Sequence, residues 1–244
     1  MELQTVFEID EKTTIVPNYY YQHHAEFITY KRCMISDKLK NGRLWEPHLH
    51  KVFKSYITKN SIVLEAGCHI GTHSILLSKL CKHLICFEPL FYSASILEKN
   101  LQINNCKNVT LHKKALSDTL GKNVFSSIRI GNVGESLLHK KSEDIPTNIP
   151  DDLKLLEIEM TTLDELKLNQ LDFIKLDVEE FEPKIIKGGM KTIKKYKPVI
   201  SLECSGNAQN PCSLENTIAT FPELIALGYK VIHVEHCDFL FIPE

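Results

Sequence analysis

An acidic residue and two glycines mark the first stretch of this chain that could bind a ligand. Within Ile62–His73, three apolar residues lead to Glu65, and Gly67 and Gly71 follow it. The pattern predicts a buried strand, a tight turn and a helix that begins near Thr72. Because glycine has no Cβ, the chain can turn sharply here and a ligand can approach the main chain. This turn is therefore the predicted centre of a binding site.

The chemistry of the turn favours a cationic ligand. A dinucleotide-binding fingerprint has a middle glycine, which is absent between Gly67 and Gly71. The carboxylate of Glu65 would also repel the pyrophosphate of NAD, whereas it attracts an ammonium or a sulfonium group. S-adenosylmethionine (SAM) carries both of these cations and no phosphate. The turn is therefore predicted to bind SAM through Glu65, Gly67, His69, Gly71 and Thr72.

Polar residues at the ends of two later strands extend this predicted site. Glu88 ends the second apolar strand, where an acid can accept hydrogen bonds from both ribose hydroxyls. Ser117 and Asp118 follow the third strand, where Asp118 could accept the exocyclic amine of adenine. The alternatives are an acid at a helix start for Glu88 and a turn-forming aspartate for Asp118. Because parallel strands end at one edge of a sheet, these residues are expected to complete the nucleoside site.

Four carboxylates cluster after the predicted fourth strand, within Lys175–Glu182. Ligands of α/β sheets bind at the carboxyl ends of the strands, which is where this cluster lies. Asp177 and Glu179 are the predicted catalytic residues, and Glu203 at the end of the next strand joins the same rim. A carboxylate or a histidine within reach of a substrate hydroxyl can accept its proton, so His69 and His73 are the candidates after these two acids.

Strand and helix patterns alternate along the chain, which predicts a mostly parallel sheet with helices on both faces. The link Glu235–Asp238 is too short for a parallel crossover, so the last two strands are expected to form an antiparallel hairpin. The predicted fold is therefore α/β, of the Rossmann-like class I methyltransferase type. Its seven predicted strands are Ile62–Glu65, Leu84–Phe87, Val109–His112, Leu171–Leu176, Val199–Leu202, Lys230–Val234 and Phe239–Ile242.

The remaining pattern predicts helices and two regions without a clear period. Residues 120–160 break the alternation and are read as a turn near Gly131 and a charged loop over Lys140–Asp152. Residues 1–44 are expected to form an N-terminal extension or lid of one or two short strands, and residues 45–244 the SAM-dependent domain. The predicted helices are Trp45–Ile57, Thr72–Leu80, Ser93–Asn104, Leu163–Leu168, Lys184–Tyr196 with a break at Gly188, and Leu214–Leu227.

The order and spacing of several short motifs resemble the FkbM-type SAM-dependent methyltransferases over residues 45–204. The segment Leu171–Glu182 is the most specific of these motifs. The others are Trp45–Glu46, Leu64–Gly71, Phe87–Pro89, Leu97, Asn100 and Asn104 on one helix, Ala115–Asp118, Gly131–Ser136, Thr162–Asp164, Lys197–Pro198 and Glu203. The resemblance implies SAM as cofactor and O-methylation of a hydroxyl on a sugar, glycan or small natural product.

Three residues depart from the pattern of the family. The family has Asp where Glu65 stands, Asn where His69 stands and Gly where Glu180 stands. Glu65 keeps the charge with a longer reach, and His69 changes a polar contact near the methionine end of SAM. Glu180 changes the shape expected near the transferred methyl group. The cofactor site is expected to survive these changes, whereas the acceptor is less constrained.

Two other functions are weighed against O-methylation. A nucleic-acid methyltransferase could use the lysines between Lys184 and Lys195, but a solvated helix face explains them, and the acids near Asp177 would repel phosphate. A non-catalytic module with the same fold would not need Asp177 for SAM affinity. An NAD oxidoreductase is disfavoured by the turn.

Bulk composition excludes several classes of protein. The net charge of −2 over 244 residues provides no basic field for nucleic acid or membrane. No apolar run approaches the roughly 20 residues that span a bilayer, and the N-terminus has no secretory pattern, so a cytoplasmic location is expected. The eight cysteines form no CxxC pair, which predicts reduced thiols. His48 and His50 are a tight pair but too few for zinc, so no metal is predicted.

Overall fold

The fold is described from a computed structural model that covers residues 8–10, 12–20, 23–31, 33–129, 132–138, 153–204 and 212–244. In chain order its strands are β1 (Thr14–Tyr20), β2 (His23–Phe27), β3 (Ile62–Ala66), β4 (His83–Phe87), β5 (Val109–His112), β6 (Ala115–Leu116), β7 (Gly121–Arg129), β8 (Asn132–Leu138), β9 (Leu153–Thr161), β10 (Phe173–Leu176), β11 (Val199–Glu203), β12 (Tyr229–Glu235) and β13 (Asp238–Pro243). Its helices are α1 (Met34–Lys40), α2 (Pro47–Tyr56), α3 (Ser74–Leu80), α4 (Phe91–Ile103), α5 (Glu182–Gly188), α6 (Met190–Tyr196), α7 (Leu214–Thr220) and α8 (Pro222–Ala226).

A seven-stranded sheet in the order β12-β13-β11-β10-β3-β4-β5 forms the centre of the fold. Neighbouring strands from β11 to β5 run parallel, whereas β13 is antiparallel to both β11 and β12. The predicted mostly parallel sheet and its C-terminal hairpin are therefore confirmed. The chain order reverses direction between β3 and β10, and such a switch point opens a crevice at the carboxyl ends of the strands.

The central sheet is covered on both faces, as alternate residues of its strands show. Val63 belongs to the apolar core formed with α2, α3, α4 and the N-terminal segment. Leu64 and Ala66 belong to the second core, formed with α5, α6 and α8. Because successive strand residues point to opposite faces, apolar residues at adjacent positions require cover on both sides.

The prediction of irregular structure over residues 120–160 is wrong for the described part of this region. β6, β7, β8 and β9 form a second, four-stranded sheet in the order β6-β9-β7-β8. The predicted turn near Gly131 falls partly within β8, which begins at Asn132. The predicted loop Lys140–Asp152 lies almost wholly outside the described residues. The polar residues of β7 hid its strand character, because no apolar run marks it.

Two further expectations need correction. Leu214–Leu227 is not one helix, because Pro222 cannot donate a hydrogen bond within a continuous helix and instead starts α8. Residues 1–44 contain α1 as well as two strands. The predicted break at Gly188–Gly189 is confirmed by the division between α5 and α6. Among the described residues, no helix has both the length and the apolar character needed to cross a membrane.

Candidate active site

The cofactor turn, Gly67–Thr72, joins β3 to the residues before α3. Gly67 and Gly71 have φ of 82° and 92°, in the left-handed region that favours glycine. A Cβ on Gly67 would lie 1.7 Å from the carbonyl oxygen of Asp177, and one on Gly71 would lie 2.7 Å from a methyl of Leu97. The glycine at position 67 is therefore required by the close approach of the chain after β10. This contact joins two of the predicted site segments.

Glu88 holds the turn from the neighbouring strand. Its carboxylate accepts hydrogen bonds from the main-chain N–H of His69 at 2.7 Å and of Leu90 at 3.0 Å. The side chain is 5% exposed, and this burial raises the pKa of Glu88 to about 7. Each carboxylate oxygen retains a lone pair for a ligand hydroxyl. The predicted ribose-binding acid is therefore also the group that fixes the shape of the turn.

His69 presents two buried ring nitrogens inside the turn. Its main chain is left-handed, with φ of 48°, and neither Nδ1 nor Nε2 has a hydrogen-bond partner among the described residues. The Tyr30 ring lies 5.7 Å away. Burial lowers the pKa of His69 to about 4, so the imidazole is neutral near pH 7. Buried polar atoms without partners are costly in a protein and fit a site that a polar ligand completes.

A buried charge network lies beneath the turn. Glu65 is 1% exposed and accepts a hydrogen bond from the Ser74 hydroxyl at 2.6 Å. Lys175, in register with Glu65 across β3 and β10, donates to Asp177 at 2.9 Å. Burial alone would lower the pKa of Lys175, but the negative charges of Asp177, Glu65 and Glu46 outweigh burial and raise it. Lys175 therefore stays charged and holds Asp177 in place.

Three carboxyl groups stand side by side on neighbouring strand ends, and we name them the acid row: Asp177, Glu203 and Asp238. Asp177 follows β10, and its carboxyl group is hydrogen-bonded to that of Glu203 at the end of β11. Glu203 is in register with Asp238 on β13. Asp238 is bonded to His48 Nε2 at 2.6 Å. The row therefore crosses the carboxyl edge from the cofactor turn to the start of α2.

Asp177 and Glu203, which are neighbours in the acid row, differ in protonation. Burial and then the charge of Asp177 raise the pKa of Glu203 to about 9. Burial alone would raise the pKa of Asp177, but Lys175 outweighs burial and lowers it. At neutral pH, Asp177 is therefore the anion and Glu203 the acid.

Glu179 and Glu180 form a left-handed pair in the loop between β10 and α5. Their φ angles are 53° and 68°. A glycine at position 180, as in the family pattern, would adopt this left-handed conformation without strain. Glu180 adopts the same conformation with an exposed side chain. Glu179 is half-buried near the acid row and raises the pKa of Glu203 through its charge.

Ser117 and Asp118 are placed against α5. The carbonyl of Ser117 lies 2.0 Å from where a Cβ on Gly188 would stand, so Gly188 admits this contact. Asp118 lies 3.3 Å from the Lys187 ammonium. Thr72, the last predicted cofactor residue, is buried at the end of the turn.

The structure adds residues that sequence reasoning did not single out as site residues. Glu46 reaches the His73 ring at 2.8 Å and connects the residue before α2 to the start of α3. His48 and Asp238 are separated by 190 positions, so no local pattern could have paired them. The His50 ring lies 5.8 Å from the His73 ring, whereas His48 binds Asp238. The two histidines that are close in sequence therefore have different neighbours.

The N-terminal segment is tied to the cofactor turn by two asparagines on α4. The Asn100 amide accepts from the N–H of Ile28 and donates to the carbonyls of Ile28 and Ile70. Asn104 pairs with both main-chain groups of Glu26 in the same way. Positions four apart on a helix match alternate positions on a strand, because both distances are near 6 Å. Asn100 thus contacts the N-terminal segment and the turn at once.

A possible ligand set for a metal lies under the turn. Glu65, Cys68 and Cys86 each bring one oxygen or sulfur atom within 4.8 Å of the others, and all three are buried. All eight cysteines are free thiols. Burial raises the pKa of the Cys68 and Cys86 thiols, which favours their neutral form.

Comparisons with known proteins agree with this geometry. The solved structure of an FkbM methyltransferase from Methylobacillus flagellatus matches with a TM-score of 0.51 at 16% identity, over 75% of this chain and 44% of that one. A candidate rRNA methylase from Clostridium thermocellum matches with a TM-score of 0.51 at 11% identity, over 83% of this chain and 98% of that one. At these identities the likeness shows the fold alone. No curated protein matches the sequence.

The chain thus spans under half of the Methylobacillus protein. A family model described as the methyltransferase FkbM domain matches residues 65–240, from the acid before the cofactor turn to the last strand. This match covers well over half of the chain. The donor set fits SAM, with carboxylates for its cations, Glu88 for hydroxyls and the open nitrogens of His69. The chain therefore belongs to the FkbM methyltransferase domain family, and its cofactor is SAM.

Proposed function

We propose that this chain transfers the methyl group of SAM to a hydroxyl oxygen of a sugar, a glycan or a small natural product. The observation that supports this acceptor class is the acid row beside the cofactor turn. Its carboxyl groups and His48 can donate to and accept from several hydroxyls, whereas they would repel a phosphate.

The residues of the chain divide the work of such a transfer. SAM, when bound, supplies a methyl group made electrophilic by a sulfonium. We propose that the turn, with Glu65, His69 and Glu88, holds the cofactor, and that Asp177 and Glu179 face the reacting groups. Because charge disperses during methyl transfer, alignment and exclusion of water are the chief contributions of the protein.

We extend the proposal to each predicted site residue. The proposed cofactor-binding residues are Glu65, Gly67, His69, Gly71, Thr72, Glu88, Ser117 and Asp118, and the proposed catalytic residues are Asp177 and Glu179. The contact of Gly67 with Asp177 and the hydrogen bond from His69 to Glu88 support the grouping of these four residues. Asp118 would have to accept a hydrogen bond from the adenine amine while it forms its ion pair with Lys187.

We also propose that residues 1–44 are an extension that completes the site of a domain over residues 45–244. The Tyr30 ring beside His69 and the Asn100 bridge to Ile70 support this division of labour. The Tyr30 hydroxyl also shares a hydrogen bond with Ser93 at 3.0 Å, which anchors the segment on α4.

A nucleic-acid acceptor is the less favoured alternative. Lys187 is paired with Asp118, and Lys184 and Lys195 lie over the rings of Phe181 and Tyr196. These lysines thus have partners within the chain.

An acceptor screen tests the proposal. Purified protein is incubated with SAM carrying a labelled methyl group and either methyl glycosides and simple alcohols or total RNA, at low salt. We expect label in the hydroxyl compounds and none in RNA. Label in RNA alone, lost at higher salt, would replace the proposed acceptor with a nucleic acid.

A further inference from the structure

Three cysteines lie together at the ends of β11 and β13, beside the acid row. The pairing of the two strands continues one residue past Glu203, because the N–H of Cys204 donates to the Cys237 carbonyl at 2.8 Å. The third cysteine, Cys212, precedes α7, and its thiol donates to the carbonyl of His236 at 3.4 Å. All three are free thiols with partly exposed side chains. Reagents in solvent can therefore reach a group of thiols at this rim.

The thiols of Cys212 and Cys237 are in contact. The hydrogen bond to the His236 carbonyl brings the Cys212 sulfur to the residue before Cys237. A side-chain hydrogen bond then joins the two thiols directly. Sulfur atoms in hydrogen-bond contact can be joined by a small movement, whereas a bridge between distant cysteines would require the backbone to move. Cys212 and Cys237 are therefore placed to form a disulfide.

Cys204 is the less suitable partner for Cys237, although it lies directly opposite on the neighbouring antiparallel strand. Directly opposite residues keep their Cβ atoms about 4.5–5.5 Å apart, whereas a disulfide needs about 3.5–4.5 Å. The Cys204 thiol is instead hydrogen-bonded to Thr217 and Thr220 of α7. The geometry therefore favours Cys212 over Cys204.

We propose that Cys212 and Cys237 are an oxidation site, at which a small disulfide such as oxidised glutathione forms a reversible bridge between the β12–β13 turn and the chain before α7. This chemistry does not depend on the identity of the methyl acceptor. In the sheet, β13 lies three strand spacings from β3, which is about 14 Å. The bridge is therefore expected to fix the end of the acid row at Asp238 and to leave the cofactor turn unchanged.

The proposed step balances in atoms and electrons. The thiolate of Cys237 attacks one sulfur of oxidised glutathione, and the first glutathione leaves with the electron pair of the broken S–S bond. The thiolate of Cys212 then attacks the Cys237 sulfur, and the second glutathione leaves in the same way. Two cysteine thiols are oxidised to one disulfide, one small disulfide is reduced to two thiols, and two protons pass from the cysteines to glutathione.

The order of attack follows from the hydrogen bond between the two thiols. The thiolate is the nucleophile in this exchange. Burial, followed by the hydrogen bond and the charge of Cys237, raises the pKa of Cys212 to about 12, so Cys212 keeps its proton while Cys237 is a thiolate. Once Cys237 carries glutathione, that charge is gone and Cys212 can lose its proton and attack.

A second pair of cysteines in the chain is a natural control. Cys68 and Cys86, under the cofactor turn, bring their sulfur atoms within 4.8 Å of each other, but they are 2% and 0% exposed. Buried thiols react poorly with reagents in solvent. A comparison of the two pairs therefore separates the effect of contact between thiols from the effect of exposure.

Thiol mapping of the whole chain tests the proposal. The reduced protein is incubated with oxidised glutathione, the remaining thiols are alkylated in denaturant, and the peptides are identified by mass spectrometry. We expect a peptide linked through Cys212 and Cys237 that a reducing agent separates, and oxidation of the buried pair at least about tenfold more slowly. Thiols that stay reduced, glutathione adducts without a bridge, a bridge from Cys237 to Cys204, or equal oxidation of the buried pair would each overturn the proposal.

Two substitutions assign the bridge to its residues. Cys212→Ser is expected to abolish the bridge and to leave one glutathione on Cys237, because the attacking thiol of the second step is removed. Cys106→Ser, which removes another partly exposed thiol, is the control and should keep the bridge. A bridge that persists in Cys212→Ser would overturn the pairing.

Cofactor binding reports whether the bridge fits the native fold. The oxidised and the reduced protein are each titrated with S-adenosylhomocysteine (SAH), the product of methyl transfer from SAM, by isothermal titration calorimetry. We expect the two dissociation constants to agree within about threefold, because well-separated sites couple weakly. A larger loss of affinity in the oxidised protein would show that the bridge distorts the fold, and would overturn the claim that these thiols are close enough to join.

Discussion

The cofactor turn and the acid row occupy the same edge of the sheet, yet they satisfy their carboxylates in different ways. On the turn side, Glu88 accepts from main-chain N–H groups and Glu65 from a serine hydroxyl. In the acid row, Asp177 and Asp238 are bound to Lys175 and His48, and Glu203 to another carboxyl group. The turn side uses uncharged donors, whereas the acid row uses ionisable side chains, of which Lys175 stays charged.

This contrast matches the two tasks of a methyltransferase. The turn has to hold a ligand whose shape hardly changes during the reaction, and main-chain donors give it a fixed geometry. Under the proposed transfer to a hydroxyl, the acid row would have to tolerate the loss of a positive charge and the arrival of a proton. A set of coupled carboxyl groups can absorb such changes.

The largest expected effect comes from a substitution where the two regions meet. In Gly67→Ala the new methyl would overlap the Asp177 carbonyl, with 1.7 Å between the atoms, and the residue would be strained at φ of 82°. We expect a loss of about 3–5 kcal/mol in the free energy of unfolding, from overpacking plus backbone strain. Urea denaturation measures it.

Gly228→Ala is the matched control for that substitution. Gly228 has φ of 83°, and a Cβ there would meet nothing within 4 Å. Its cost should be about 1–2 kcal/mol, from strain alone. Equal losses in the free energy of unfolding at the two positions would show that the turn is not packed closely against the chain after β10.

The next effect concerns the acid row. Asp177→Asn leaves the ammonium of Lys175, 3% exposed, without its nearest anion. Because Glu65 and Glu46 still face Lys175, we expect about 1–3 kcal/mol of lost stability, less than for an isolated buried pair. We also expect SAM affinity to fall about tenfold, measured by calorimetry, because a carboxylate near the cationic cofactor is lost. Unchanged SAM affinity would favour a non-catalytic module.

A smaller effect tests the turn side through pH. Ribose hydroxyls donate to an ionised carboxylate, and the pKa of Glu88 is about 7, so SAH affinity should rise about tenfold between pH 6 and pH 8. Because the pKa of Glu88 is raised in the folded state, free protein should lose stability as pH rises from about 4.5 to 7. Glu88→Gln should flatten the affinity profile and reduce the slope of the stability profile, to which Glu182, whose pKa burial also raises to about 7, still contributes. SAH affinity that stays constant with pH in the unsubstituted protein would remove Glu88 from the ribose site.

The smallest effect concerns the proposed adenine contact. Lys187 is 71% exposed, so its ion pair with Asp118 contributes about 0–1 kcal/mol. Lys187→Ala should therefore lower the free energy of unfolding by no more than about 1 kcal/mol, and it should change SAH affinity by less than about twofold because Lys187 itself is not a predicted ligand contact. Asp118→Asn should weaken SAH binding further if Asp118 accepts the adenine amine. Equal affinities of these two variants would leave Asp118 as a partner of α5 only.

The sequence predicts the central sheet well because its strands are buried on both faces. Runs such as Ile62–Leu64 carry apolar residues without interruption, and the short link before Asp238 dictates the hairpin. The second sheet escapes prediction because β7 has polar residues at alternate and adjacent positions alike. Its pairing with β9 spans about thirty residues of sequence, which no local pattern encodes.

The candidate site divides in the same way. Glu65, Gly67 and Glu88 can be predicted from the sequence because each lies at the end of a strand or in the turn that follows it. The pairing of His48 with Asp238 and of Asp177 with Glu203 depends on which strands are neighbours in the sheet. Side-chain protonation in the acid row depends on burial and on these neighbours, so it becomes visible only in three dimensions.

The most direct test of the central claim is a crystal structure of the chain with SAH. We expect the ribose hydroxyls at Glu88, a ligand atom within hydrogen-bonding distance of a His69 ring nitrogen, and the sulfur facing Asp177 and Glu203. SAH bound away from Glu65, Gly67 and Glu88 would contradict the assignment of the cofactor turn and of the acid row beside it.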